Sequence, residues 1–201
     1  MSVIETAARE RQEGINPVLL GAILFIASEV MFFAGLFAAY WNIRADAPQW
    51  PPAPPPGLPA DAFDLDLAYI TVFTVILVSS SFTMQWAISS IKKGNRSGLV
   101  WGVLLTLVMG SVFLMGQAID YTQILEFRFG DGVFGTTYFT LTGFHGLHVL
   151  GGVGFLAIIL VRSLAGDFSD RHHLAVEACS YYWHFVDVVW ITLFTQLYLL
   201  K

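Results

Sequence analysis

Five long apolar runs, separated by short polar or proline-rich stretches, dominate this chain; they cover about residues 17–43, 67–91, 99–123, 135–161 and 174–200. A bilayer's hydrocarbon core is about 30 Å thick, so roughly 20 mostly apolar helical residues cross it. Each run meets that length. Strands of a membrane barrel are about ten residues long and alternate strictly, and none of these runs alternates. The pattern predicts an all-α, polytopic membrane bundle of five transmembrane helices. Residues 1–16 form a separate N-terminal segment, residues 17–201 the bundle, and residues 47–60 a proline-rich loop.

Composition strengthens this reading. The chain is 56% hydrophobic and 12% charged, against about 45–50% and 25% in soluble domains. Cys179 is the single cysteine, so a disulfide framework is excluded. A net charge of −5 argues against nucleic acid as a partner. Five spans put the chain ends on opposite sides. Arg9, Arg11, Lys92, Lys93, Arg96, Arg162 and Arg171 fall on one side, and Arg44, Arg128 and Lys201 on the other. The positive-inside bias then makes the N-terminus cytoplasmic and the C-terminus external. The first run is too long for the core of a cleaved signal peptide, so no cleavage is expected. The first loop reads APQWPPAPPPGLPA, with seven of the chain's eight prolines between Pro48 and Pro59. Such a run favours polyproline II, either as a stiff strap or as a docking segment.

Ionisable groups inside a membrane are costly and call for a reason. The first span carries Glu29, the fourth His145 and His148, and the fifth Glu177, His184 and Asp187. At about 100° per residue, His145 and His148 share one face of their helix, and Gly143, Gly146, Gly151 and Gly154 the opposite one. That glycine face is expected to pack closely on a neighbour. Glu177, Ser180, His184, Asp187 and Thr195 share a face of the fifth span, and Thr71, Thr74, Ser81, Gln85 and Ser89 a stripe of the second. Three chemistries suit these groups: hydrogen bonds that glue helices, a relay for protons or water, and a metal site. The metal alternative would use His145, His148, His184 and Asp187, without the Glu-x-x-His pairs of di-iron bundles. His172 and His173 read as loop residues, and Cys179 lacks a neighbouring base. Arg162 ends the fourth span as a topology anchor or a contact for a lipid phosphate. No nucleotide-binding fingerprint is present.

The order of motifs resembles subunit III of the haem-copper respiratory oxidases, in its cytochrome c oxidase form. The resemblance runs from about residue 17 to the C-terminus. It rests on SEVMFFAGLFAAYW from Ser28, Trp50-Pro51-Pro52, Gly94-Asn95-Arg96, the stretch 117–121, DGVFGTTYF from Asp131, TGFHGLHVLGG from Thr142, and HH…E…YYWHFVDVVW from His172 to Trp190. It implies a non-catalytic accessory subunit of a proton-pumping oxidase in a bacterial cytoplasmic membrane. Subunits I and II would be its partners, and cytochrome c a partner only through the complex, which could itself join a respiratory supercomplex. Haem and copper would reside in those partner subunits, with no metal or catalytic residue in this chain. The implied roles are stabilising subunit I, supporting proton uptake, binding phospholipid and giving O₂ access. The family's intramembrane polar positions fall on Glu29, His145, His148, Glu177, His184 and Asp187, and its lipid-head-group arginine on Arg162. Compared with the seven-helix form, two N-terminal helices that wall a lipid cleft have no counterpart, as in the short five-helix bacterial form. Subunit III of quinol oxidases and the accessory subunit of nitric oxide reductases are related. Ser28-Glu29 and Gly143-Phe144-His145 are closer to the cytochrome c type. A membrane metalloenzyme and a small channel or transporter are the rival readings from other classes.

Overall fold

The structure, a computed structural model, describes residues 17–200; the N-terminal segment 1–16, with Arg9 and Arg11, and Lys201 lie outside the described residues. Five long helices follow one another: α1 (Pro17–Asp46), α2 (Leu67–Lys92), α3 (Arg96–Ile119), α4 (Gly132–Ala165) and α5 (Leu174–Phe194). The ends of α3 and α5 widen into π-helical turns, Asp120–Ile124 and Thr195–Leu199. Local chemistry sets several boundaries. The Asp66 carboxylate accepts the Tyr69 N–H at the start of α2, and the Asn95 side chain accepts the Gly98 N–H at the start of α3. Gly166, at φ 85°, closes α4 in the left-handed conformation that glycine adopts without strain. Pro17–Asp46, Leu67–Lys92, Arg96–Ile124 and Gly132–Ala165 are long and apolar enough to cross a membrane. The helix from Leu174 is more polar, since it carries Glu177, His184 and Asp187.

Helices α2 to α5 form a closed antiparallel ring in which each touches the next and α5 returns to α2. The register is read from cross-helix contacts. Lys92 meets Glu177 and Thr74 meets Trp190 between α2 and α5, while Tyr138 meets Tyr198 and Tyr182 meets the His148 carbonyl between α4 and α5. Small residues set the closest approaches. A Cβ at Gly102 would lie 2.7 Å from the Ala87 Cβ and 2.9 Å from its Cα, so α2 and α3 touch nearly backbone to backbone. Trp183, fully buried, fills the space that Gly110 of α3 and Gly152 of α4 leave open. The predicted glycine face of α4 is only partly used. A Cβ at Gly146 would meet the Gln117 side chain at 2.9 Å and one at Gly151 the Tyr182 hydroxyl at 3.4 Å, but a Cβ at Gly143 or Gly154 would meet nothing within 4 Å. The cause is rotational: Gly152 lies on the buried side of α4, whereas Gly151 and Gly154, one and two residues away, turn to the exposed side.

Helix α1 stands outside the ring, against α4 and α5. Only Phe33 and Tyr40 of its 30 residues are buried. The proline-rich loop does not run as an extended strap. It turns at Pro55–Leu58, Pro59–Ala62 and Asp61–Asp64 through backbone hydrogen bonds of 2.8–3.3 Å. Trp50 packs edge-on against Tyr40 and Phe134, and Phe63 lies 4.8 Å from Phe134 and 5.1 Å from Phe127. Burying those two rings holds the loop on the end of the bundle, which proline stiffness alone would not do.

Candidate functional site

The six ionisable residues singled out above are distributed over separate sites, each bridging two elements. Glu29 of α1 meets His148 of α4, with Oε2 2.9 Å from Nε2. The other ring nitrogen, Nδ1, lies 2.7 Å from the Phe144 carbonyl and therefore donates to it, because a carbonyl only accepts. The proton between Nε2 and Oε2 then belongs to the pair, whichever atom carries it. Phe33 lies edge-on to the imidazole at 4.9 Å, and the Tyr182 hydroxyl donates to the His148 backbone carbonyl at 3.0 Å. Besides this pair, the Tyr40 hydroxyl donates to the Gln196 carbonyl at 3.1 Å, and Phe25, Phe32 and Phe33 meet Tyr182, Phe144 and Phe185, so two polar links and several aromatic contacts hold α1 to the ring.

At the centre of the α2–α5 seam, Ser81 bonds both His184 and Asp187. Its Oγ lies 3.0 Å from His184 Nδ1 and donates to Asp187 Oδ2 in a short hydrogen bond. A serine hydroxyl has one proton, so with Asp187 ionised and His184 neutral Nδ1 donates to Ser81 and Nε2 carries the lone pair, whereas a proton on Asp187 reverses both bonds and places the ring N–H on Nε2. The order is histidine, serine, carboxylate. In a hydrolytic triad the carboxylate orients the histidine, so this arrangement does not activate a nucleophile. Asp187 is 4% exposed and its second oxygen has no hydrogen-bond partner among the described residues.

Glu177 sits at the end of the same seam, 2.7 Å from Lys92 Nζ and 3.5 Å from His173 Nε2. His173, read from sequence as a loop residue, therefore takes part in a cross-element ion cluster. His145 is fully buried, stacked on Trp190 at 4.9 Å and edge-on to Phe113, and neither ring nitrogen has a partner among the described residues. Although it shares a helix face with His148, the two rings serve different neighbours. The four residues of the metal alternative accordingly diverge: His148 is taken up by Glu29, His145 by aromatic rings, and His184 and Asp187 by Ser81. Among the described residues no three His, Cys, Asp or Glu side chains converge as a metal centre requires. Arg162 donates from Nε to Asp167 at 3.0 Å and lies over the Phe168 ring.

Several polar residues that matter in the fold were not singled out from sequence. Ser80 accepts the Trp183 indole N–H at 2.8 Å, and Thr83 meets Thr106 at 2.7 Å. Gln117 donates to the Tyr121 hydroxyl and to the Thr142 carbonyl, both at 2.9 Å. Asp120, 4% exposed, accepts from the Tyr138 hydroxyl at 3.0 Å, and Tyr138 meets Tyr198 at 2.6 Å. The available signal was a carboxylate flanked by apolar residues at the end of a span. The π-helical turns at Asp120 and Tyr198 bring both onto Tyr138, which a regular helical wheel does not anticipate.

The chain is similar to known proteins along nearly its whole length. A family model described as cytochrome c oxidase subunit III matches residues 6–201. A cytochrome c oxidase subunit 3 from the dogfish Scyliorhinus canicula is 42% identical over 184 residues, which cover 89% of this chain and 67% of that protein. Probable cytochrome c oxidase subunit 3 proteins from Nocardia farcinica and Mycobacterium tuberculosis are each 39% identical over 189 residues, covering 92% of this chain and 89% of the relative.

Proposed function

The chain belongs to the cytochrome c oxidase subunit III family, and from that premise we propose that it stabilises and tunes a proton-pumping oxidase through contacts with subunits I and II. Membership makes it a non-catalytic component of an oxidoreductase complex, multi-pass in a bacterial cytoplasmic membrane. In this reading the haems and copper that reduce O₂ with electrons from cytochrome c lie in the partner subunits. All five helices span the bilayer, with the N-terminus cytoplasmic. The antiparallel packing supports that orientation, because it gathers Lys92, Lys93, Arg96, Arg162 and Arg171 at one end and leaves Arg44 and Arg128 at the other.

Glu29, His145, His148, Glu177, His184 and Asp187 act as interior polar structure that supports proton uptake. Arg162 offers a lipid phosphate its terminal amino groups, which make no hydrogen bond within the described residues. The observation that carries the proposal is the family match across residues 6–201. The test compares the oxidase purified from the host with and without this chain. Initial turnover should be retained in its absence, while the number of turnovers before inactivation falls. Equal lifetimes and equal proton pumping would refute the proposed role.

A further inference from the structure

Every outward face of a membrane bundle meets either lipid or protein, and its hydrogen-bonding groups report which. Most exposed hydroxyls here are already satisfied within their own helix. Ser28 donates to Phe25, Thr71 to Leu67, Thr192 to Val188 and Thr195 to Ile191. The outward faces of α3 and α4 present large apolar side chains, among them Trp101, Val108, Leu147 and Ile158. The face over the α2–α5 seam is different. Gln85 is exposed, and its amide makes no hydrogen bond within the described residues. Tyr181, 45% exposed, has a hydroxyl with no hydrogen bond among the described residues. Among the described residues the part-buried His184 ring leaves Nε2 unbonded, while Nδ1 is committed to Ser81.

These three groups form one patch. Gln85 lies one helical turn from Ser81 and Tyr181 one turn from His184, both toward the Lys92–Glu177 end. Gln85 is seven residues, about 10 Å at 1.5 Å per residue, inside the Lys92 end of α2, so it sits within hydrocarbon depth. Lipid tails offer nothing to an amide, a phenol and an imidazole nitrogen. A neighbouring helix does. Phe82, 74% exposed, and Val188, 62% exposed, flank the patch with the apolar surface that a packed helix covers.

We infer that the α2–α5 face carrying Gln85, Tyr181 and His184 is the surface by which this chain docks on a transmembrane helix of its oxidase partner. The chemistry of that helix follows from the internal order of hydrogen bonds. Ser81 engages His184 Nδ1 and Asp187 Oδ2, and Nε2 is left at the surface as an acceptor when Asp187 is ionised and as a donor when Asp187 holds the proton. The partner helix therefore presents a side chain that both donates and accepts, a hydroxyl or a carboxamide, opposite His184. The inference rests on the accessory-subunit reading and names the face that the reading leaves open.

The test uses the tagged full chain in its native host. A photo-crosslinking benzophenone amino acid replaces Gln85 or Tyr181 and, as controls, Trp101 or Leu147. Illumination should give an adduct with another oxidase polypeptide from the first two positions and none from the controls. The double variant Gln85→Leu with Tyr181→Phe leaves every internal hydrogen bond described above intact. It should be retained in the washed complex about threefold to twentyfold less well, the range that interhelical polar bonds give in membranes. In a haem-bearing preparation, polypeptide adducts from Trp101 or Leu147 instead, a crosslink between two copies of this chain, or unchanged retention would overturn the assignment of the face. An unsubstituted chain that purifies without haem would overturn the accessory-subunit reading itself, and with it the docking partner.

Discussion

Replacing Glu29 by leucine and His148 by phenylalanine, singly and together, measures what holds α1 to the bundle. The pair is 2.9 Å apart, with side chains 21% and 16% exposed, and α1 buries only Phe33 and Tyr40 besides. Interhelical hydrogen bonds in membranes are worth about 0.6–1.7 kcal/mol in double-mutant cycles, and charge-assisted ones about 1.5–3 kcal/mol in general. Each single variant strands the other polar group near mid-membrane, so each should cost about 1–2 kcal/mol. The double variant removes both groups and replaces them with apolar bulk, and should lie close to wild type. Phenylalanine preserves the ring that Phe33 contacts, and the Tyr182 hydroxyl keeps its bond because it is made to the His148 backbone. Reversible unfolding of the purified complex in mixed detergent, titrated with a denaturing detergent, supplies the four free energies. Effects that add within about 0.5 kcal/mol would show that the two residues do not interact, and would refute the reasoning.

In turnover assays, Glu29→Ala should leave the initial rate of the oxidase largely intact while shortening its lifetime or changing its proton pumping; wild-type behaviour in both assays removes Glu29 from the functional set. Gly102→Val should block α2–α3 contact, because even a Cβ there meets Ala87 backbone at 2.9 Å, and expression with thermal scanning should show a loss of several degrees or no folded chain. Gly154→Ala, with no neighbour within 4 Å, should be neutral or stabilising by up to about 1 kcal/mol through helix propensity. Tyr138→Phe strips Asp120 of its donor and should cost about 1–3 kcal/mol; equal unfolding midpoints for variant and wild type would contradict the buried bond.

The spans were legible because apolar length is a direct physical requirement of the bilayer. The run read as 99–123 in fact starts at Arg96, since Asn95 caps the helix before its apolar stretch begins. The run read as 135–161 extends to Gly132–Ala165, where polar and glycine residues continue helical beyond the apolar core. The candidate residues were legible as expensive charges, but their pairing was not. Helical periodicity places His145 beside His148, yet lateral packing sends one to Trp190 and the other to Glu29. Proline content suggested a stiff strap, whereas Trp50 and Phe63 decide where the loop lies. Asp120 fell inside the run 99–123 without being singled out, and it is buried in a π-helical turn that no composition signal announces.

The most direct measurement is a reduced-minus-oxidised visible spectrum of the tagged chain purified from its native host in mild detergent. Membership in an oxidase complex predicts a-type haem bands in stoichiometric amount with the chain. Bands of b- or o-type haem would move the chain to a quinol or nitric oxide enzyme. A stable preparation that carries no haem would contradict the accessory-subunit account.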